Sequence, residues 1–213
     1  MIKFVVNTPK GGVGKTTTAT NIALLLAREG YRVMAVDLAA GLLMSQTLSS
    51  CPEFSEDGSN RIVQKEAQRI PQTFPGANSF DYAVLDTDDS FTVGQDLLLG
   101  TRPGWKVISP VNPYDSVGLD RIPREIRAVM LAALLTPSEL SLTVFANIAY
   151  GGNSQGGYDI LQLVLDNNSI ASLLSSIVLP YVSSRGQVPL VLLDDVNYSS
   201  AMRTLLQTLG VIL

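Results

Sequence analysis

Gly11, Gly12, Val13, Gly14, Lys15 and Thr16 stand in one run near the start of the chain, and two aspartates, Asp37 and Asp86, each end an apolar stretch. Glycine has no Cβ, so a run rich in it can curl closely around an anion. The N–H groups of such a loop and of the helix that follows then converge on one phosphate. Lys15 would reach the β- and γ-phosphates of a nucleotide and the Thr16 hydroxyl would ligate Mg²⁺, with Thr17 closing the stretch. A carboxylate at the end of a buried strand beside this loop orders the water shell of the metal. Asp86 is the candidate for that role, and Asp37 can assist the metal or an attacking water.

These side chains work together only if the chain lays them along one edge. Apolar runs bounded by turn residues alternate with helical stretches, which predicts an α/β fold: a mostly parallel central sheet with helices on both faces. Ile2 to Asn7 reads as a central strand entering the loop, and Thr16 to Glu29 as the helix leaving it, stopped by Gly30. Arg32 to Asp37 and Tyr82 to Asp86 read as strands that deliver their aspartates to the C-terminal edge, where ligands bind in open α/β sheets. Leu42 to Leu48 is a short helical candidate, Cys51 to Asn60 a polar loop, and Arg61 to Ile70 an exposed helix ended by Pro71 and Pro75-Gly76. Strands are expected at Trp105 to Ser109, Ser141 to Asn147 and Ser176 to Leu179. Helices are expected at Ser116 to Leu135, interrupted by Pro123, at Tyr158 to Asn167 after a flexible Gly151 to Gly157 segment, and at Tyr198 to Leu209.

The 213 residues, 46% of them apolar, suit one domain over 1–213 with a sizeable core. There is no histidine and one cysteine, Cys51, which closes Ser-His-Asp and Cys-His hydrolase chemistry, multi-cysteine metal sites and intrachain disulfides. The chain begins directly on a strand pattern, so no leader is expected, and no apolar run approaches the roughly 18 residues of a membrane span. A cytoplasmic protein is expected. Net charge is −4, with 15 basic and 19 acidic residues, and after Lys106 there are no lysines. Non-specific nucleic-acid binding would therefore neutralise few phosphates per subunit and rest on dimerisation or assembly.

The loop departs from G-x-x-x-x-G-K-[ST]: Pro9 takes the first glycine position and Lys10 follows it. Lys10-Gly11-Gly12-Val13-Gly14-Lys15-Thr16-Thr17 resembles the loop of the ParA/MinD family of deviant Walker ATPases, and the size resembles the short members of that family. The resemblance implies a P-loop NTPase fold, ATP or ADP with Mg²⁺ as ligands, and a nucleotide-dependent homodimer. In it, Lys10 crosses to the phosphates held by the partner subunit. It also implies plasmid or chromosome partition, with the ATP dimer on non-specific DNA and a centromere-binding partner protein stimulating turnover. Asn147 and the Pro180-Tyr181-Val182 turn correspond to the family's adenine contacts.

Two departures bear on chemistry. The usual Asp-x-Asp-Pro after the second strand is Asp37-Leu38-Ala39-Ala40 here, and Ala39 cannot orient water, so hydrolysis is expected to be slow or absent. The usual Asp-x-Pro-Pro-Ser is Asp86-Thr87-Asp88-Asp89-Ser90, which puts extra negative charge near the γ-phosphate; Asp88 or Asp89 is a candidate substitute for the missing carboxylate. Arg121, Arg124 and Arg127 recur every three residues and read first as a solvated face, second as a contact surface for DNA or a partner. Met202, Leu205, Leu206, Leu209 and Val211 to Leu213 read as core rather than membrane docking, because Arg203 is the only cation beside them. Three rival functions are weighed: a non-hydrolysing ATP-binding interaction module; a metabolic enzyme on the same scaffold, such as an ATP-dependent amide or carboxylate ligase, for which no convincing set of acid–base groups is found; and a membrane-associated positioning ATPase of the MinD type.

Overall fold

A computed structural model describes residues 1–54, 59–65, 69–74, 76–88, 96–182 and 194–213. Seven strands are hydrogen-bonded into one sheet: β1 Ile2–Val6, β2 Val33–Asp37, β3 Arg61–Gln64, β4 Tyr82–Asp86, β5 Trp105–Val111, β6 Leu142–Asn147 and β7 Leu174–Leu179. Their order is β3-β2-β4-β1-β5-β6-β7, and every pairing is parallel. Among the described residues the α-helices are α1 Lys15–Arg28, α2 Leu43–Leu48, α3 Ser116–Ala133, α4 Ser154–Asn167 and α5 Val196–Thr208.

Parallel strands buried on both faces need apolar residues at both odd and even positions, and the central strands supply them. Phe4, Val6, Val33, Ala35, Val84 and Phe145 point to a face covered by α1, α2 and α5. On the opposite face, Val107, Val144 and Ala146 meet α3 and α4, while Val5, Met34, Val36, Ala83 and Leu85 pack with Leu99 and Trp105. The expected all-round covering of the sheet is present.

One element differs from its sequence reading. Arg61 to Ile70 was expected to be a helix, and its first four residues are instead the edge strand β3, paired with β2 from Met34↔Arg61 to Asp37↔Gln64. Its ends are exposed and its middle half-buried, so four residues give too little periodicity to tell strand from helix. The Lys65 N–H extends the ladder to the Asp37 carbonyl at 3.1 Å. Elsewhere the boundaries shift by a few residues. The largest shift is in α4, which starts at Ser154 inside the glycine-rich segment because Asn153 caps it, accepting from the N–H groups of Gln155 and Gly156. Met202, Leu205 and Leu206 of α5 are fully buried and Leu209 and Val211 nearly so, as the core reading expects, whereas Ile212 departs from it at 84% exposed. No helix among the described residues is long and apolar enough to cross a membrane.

Candidate functional site

The register places the site. Val6, the last residue of β1, lies opposite Asp86, and Asp86 lies opposite Asp37. Both carboxylates therefore stand at the sheet edge from which the chain turns into the 7–14 loop. Gly12 and Gly14 adopt left-handed backbone angles, φ 74° and 91°, which an L side chain rarely takes. A Cβ at Gly14 would in addition stand 2.4 Å from the Asn147 amide. α1 starts directly after Gly14 with no side-chain cap on its first N–H groups, so those donors face the loop's concavity.

A cavity of about 620 Å³ opens there, lined by Gly11, Gly12, Gly14, Lys15, Thr16, Thr17, Ala39, Ala40, Gly41, Thr87 and Asp88. Lys15 is buried and its ammonium donates to the Lys10 carbonyl at 2.9 Å, folded back over the loop. The polar floor is tied down from several elements. The Thr8 hydroxyl donates to the Pro110 carbonyl at 2.8 Å, that of Ser109 to the Asn7 carbonyl at 2.8 Å, and that of Thr87 to the Val6 carbonyl at 2.8 Å.

The two aspartates are both fully buried but differently engaged. Asp37 accepts from the N–H groups of Ser45 at 2.8 Å and Ala39 at 3.2 Å, and so braces the start of α2. Neither oxygen of Asp86 meets a donor at full hydrogen-bonding geometry, although the Thr16 hydroxyl is close enough to stabilise its charge. Burial pushes its carboxyl up to about 7; the neighbouring Asp37 charge adds to the rise, and the Thr16 hydroxyl and Lys15 oppose it. Two orphaned carboxylate oxygens beside a threonine hydroxyl are a poor arrangement for a bare protein and a suitable one for a hard divalent cation. Among the described residues no cluster of three or more His, Cys, Asp or Glu could hold a metal. Thr16 and Asp86 nevertheless fit the metal, with Asp37 one layer behind.

The adenine candidates are brought to the same edge but outside that cavity. Asn147 is fully buried and its amide donates to the Val13 carbonyl at 2.6 Å, bracing the phosphate loop from below. β6 and β7 end together, with Asn147 opposite Leu179. Beyond them Pro180 is half-buried, Tyr181 is 43% exposed, and Val182 packs into the core. Ala39 lines the cavity where the family pattern has a carboxylate. Asp88 lines it too, and Asp89 and Ser90 lie outside the described residues. Arg121 and Arg124 pair with Glu125 and Asp120 at 2.6 and 2.9 Å, a solvated face as expected.

Sequence reasoning overlooked Asp96. It is 5% exposed, accepts a hydrogen bond from the Asn7 amide just ahead of the loop, and is pushed by burial up to about 7, against the pull of that amide. The available signal was an aspartate at the head of the apolar Leu97-Leu98-Leu99 run. It also overlooked Tyr114 and Tyr150. The Tyr150 hydroxyl sits 3.3 Å from where a Cβ on Gly12 would be.

With this geometry in hand, similarity to known proteins can be placed on it. A profile described as the CobQ/CobB/MinD/ParA nucleotide binding domain matches residues 4–182. The septum site-determining protein MinD of Neisseria meningitidis serogroup B is 38% identical over 163 residues, 75% of this chain and 59% of the relative. Other relatives match over short stretches that span 11% to 14% of their length, so the chain covers less than two thirds of these curated relatives. Among solved structures, the MinC:MinD cell division protein complex of Aquifex aeolicus superposes with a TM-score of 0.69 at 17% identity, covering all of this chain and 97% of the other. A protein of Borrelia burgdorferi B31 described as a plasmid partition protein, bound to AMPPNP, gives 0.57 at 13% identity over 97% and 99% of the two chains. At these identities the structural likeness speaks for the fold.

Proposed function

Since the chain belongs to the CobQ/CobB/MinD/ParA nucleotide-binding family, we propose that it is an ATP-dependent dimerising switch, with 1–213 acting as one domain. Mg-ATP is held at Lys10 to Thr17, and its terminal phosphate clamps two copies face to face. The observation that carries this reading is the pair of orphaned Asp86 oxygens, buried beside Thr16 at the mouth of the loop.

The loop N–H groups and the N-terminus of α1 hold the phosphates, and Lys15 leaves the Lys10 carbonyl to meet their charge. Mg²⁺, when bound, would supply charge that neutralises the phosphates. Asp86 and Thr16 hold it, and Asp37 keeps the 38–45 turn in place through its two backbone hydrogen bonds. Lys10, 36% exposed on the rim of the loop and paired with Asp115, would cross to the phosphates of a facing subunit. The dimer in turn offers a surface to non-specific DNA and to a centromere-binding partner protein, in the partition of a plasmid or chromosome. Support for that cargo is likeness to a plasmid partition protein. Likeness to MinD favours a positioning role on the same switch, but the buried apolar face of α5 leaves that helix no membrane-docking stripe.

Light scattering after size exclusion tests the switch. The native chain is expected to be monomeric in ADP and dimeric in ATP with Mg²⁺, and Lys10→Ala to stay monomeric in both. Dimerisation that needs ATP but ignores Lys10 would remove the deviant-loop assignment. A second reading is favoured by Ala39 at the cavity wall: an ATP-binding module that does not hydrolyse. Phosphate release separates the two, and robust turnover in the presence of DNA and partner eliminates the module.

A further inference from the structure

Lys10 does not stand free on the rim. Its stem runs along the first turn of α3, with Cγ 3.7 Å from where a Cβ on Gly118 would be. Its ammonium lies 3.7 Å from Oδ2 of Asp115. The other oxygen of that carboxylate caps α3, accepting from the N–H groups of Val117 at 3.1 Å and Gly118 at 3.4 Å. Asp115 is itself held: its N–H donates to the Asn112 carbonyl at 3.1 Å. The adjoining Tyr114 hydroxyl donates to the Asn153 carbonyl at 2.6 Å and accepts from the Asn153 N–H at 3.1 Å. The Tyr114 ring fills the space a Cβ on Gly152 would need, 2.5 Å away. One oxygen of a fixed carboxylate is therefore committed to the helix, and the other faces the lysine.

We propose that Asp115 is a latch on Lys10, a positioning residue that holds the lysine along its own subunit and must release it before the lysine can reach across a dimer. The inference rests on the cross-dimer role given to Lys10 above. Its consequence is discrimination between nucleotides. Leaving Asp115 costs an ion pair, which a partner's γ-phosphate, the group nearest the facing subunit, offsets by taking up the lysine. A diphosphate lacks that terminal group, so nothing stands within reach to replace Asp115, and the lysine stays latched. Asp115 thereby makes dimerisation sharper toward ATP than the phosphate loop alone would.

An ion pair exposed to this degree, 36% and 24% at the two side chains, is worth about two- to fivefold in an equilibrium. A symmetric dimer opens two latches, so removing them should tighten the dimer about four- to twenty-five-fold. Asp115→Asn is the informative variant, because asparagine caps a helix about as well as aspartate while carrying no charge; Asp115→Ser serves as a second capping replacement. Sedimentation equilibrium would give the dimer dissociation constant in Mg-ATP and in Mg-ADP for the native chain, Asp115→Asn, Asp115→Ser, Lys10→Ala and the Lys10→Ala/Asp115→Asn double variant. The expected result is a tighter ATP dimer and a measurable ADP dimer for both Asp115 variants, with no change from Asp115→Asn when Lys10 is already alanine. Variants within twofold of the native chain, or equal tightening in the Lys10→Ala background, overturn the latch and leave the switch standing. A native chain that stays monomeric in ATP overturns the switch and the latch together.

Discussion

Asp37 and Asp86 end neighbouring strands and lie opposite one another in the sheet, yet their surroundings give them different work. Asp37 is satisfied by backbone donors, whereas Asp86 is left without them, so the proposed metal role falls more readily to Asp86. Asp96 is a third buried carboxylate, away from the metal position, in a cavity it shares with Arg69 and Arg102. Its folded value of about 7 lies above the 3.8 it has in the unfolded chain. Its contribution to stability is therefore complete below about pH 4 and is lost as pH rises through 7. The melting temperature of the native chain should fall between pH 5 and pH 8. Asp96→Asn, which can still accept from the Asn7 amide but cannot titrate, should flatten that fall by roughly 1–2 kcal/mol, or several degrees. Equal slopes for the two proteins in thermal melts would show that Asp96 is not the group titrating.

Among the elements, α4 shows how closely the site's supports are packed. Gly157 in its first turn lies so near Ile148 and Pro113 that a Cβ would stand 2.8 Å from a side-chain carbon of each. Gly157→Ala should push α4 away from the turn before α3 and cost about 1–3 kcal/mol in chemical denaturation; a neutral result would mean that this contact yields easily. The strands that carry the chemistry were readable in the sequence because each is an unbroken apolar run ended by a polar residue: Tyr82–Asp86 was expected with these bounds and is found with them. β3 was not, because what makes Arg61–Gln64 a strand is its pairing with β2, more than twenty residues earlier in the chain. The spacing of Arg61, Lys65 and Arg69 fits a helix face equally well. α4 was read too short because the glycines before Tyr158 hid the Asn153 cap.

Taken as one body, the chain is acidic, and two of the three regularly spaced arginines on α3 are already paired with carboxylates of the same helix. If one or two phosphates are neutralised per protomer, binding of the ATP dimer to non-specific DNA should vary with salt with a log–log slope of about −2 to −4, measurable by fluorescence anisotropy. A slope near −10 would require a basic surface that this charge distribution does not supply. The amino-acid order alone settled the parallel α/β architecture and the phosphate loop, since both follow from local rules: apolar runs that must be buried on two faces, and glycines that must bend around an anion just before a helix. It could also name Asp37, Asp86, Lys10 and Asn147, but not what each would touch. That Asn147 braces Val13, that Asp96 meets Asn7 and that Lys10 lies against Asp115 depend on atoms 89 to 134 residues apart in sequence. Only folding brings such groups within reach, because burial, charge and hydrogen bonding act through space and not along the chain.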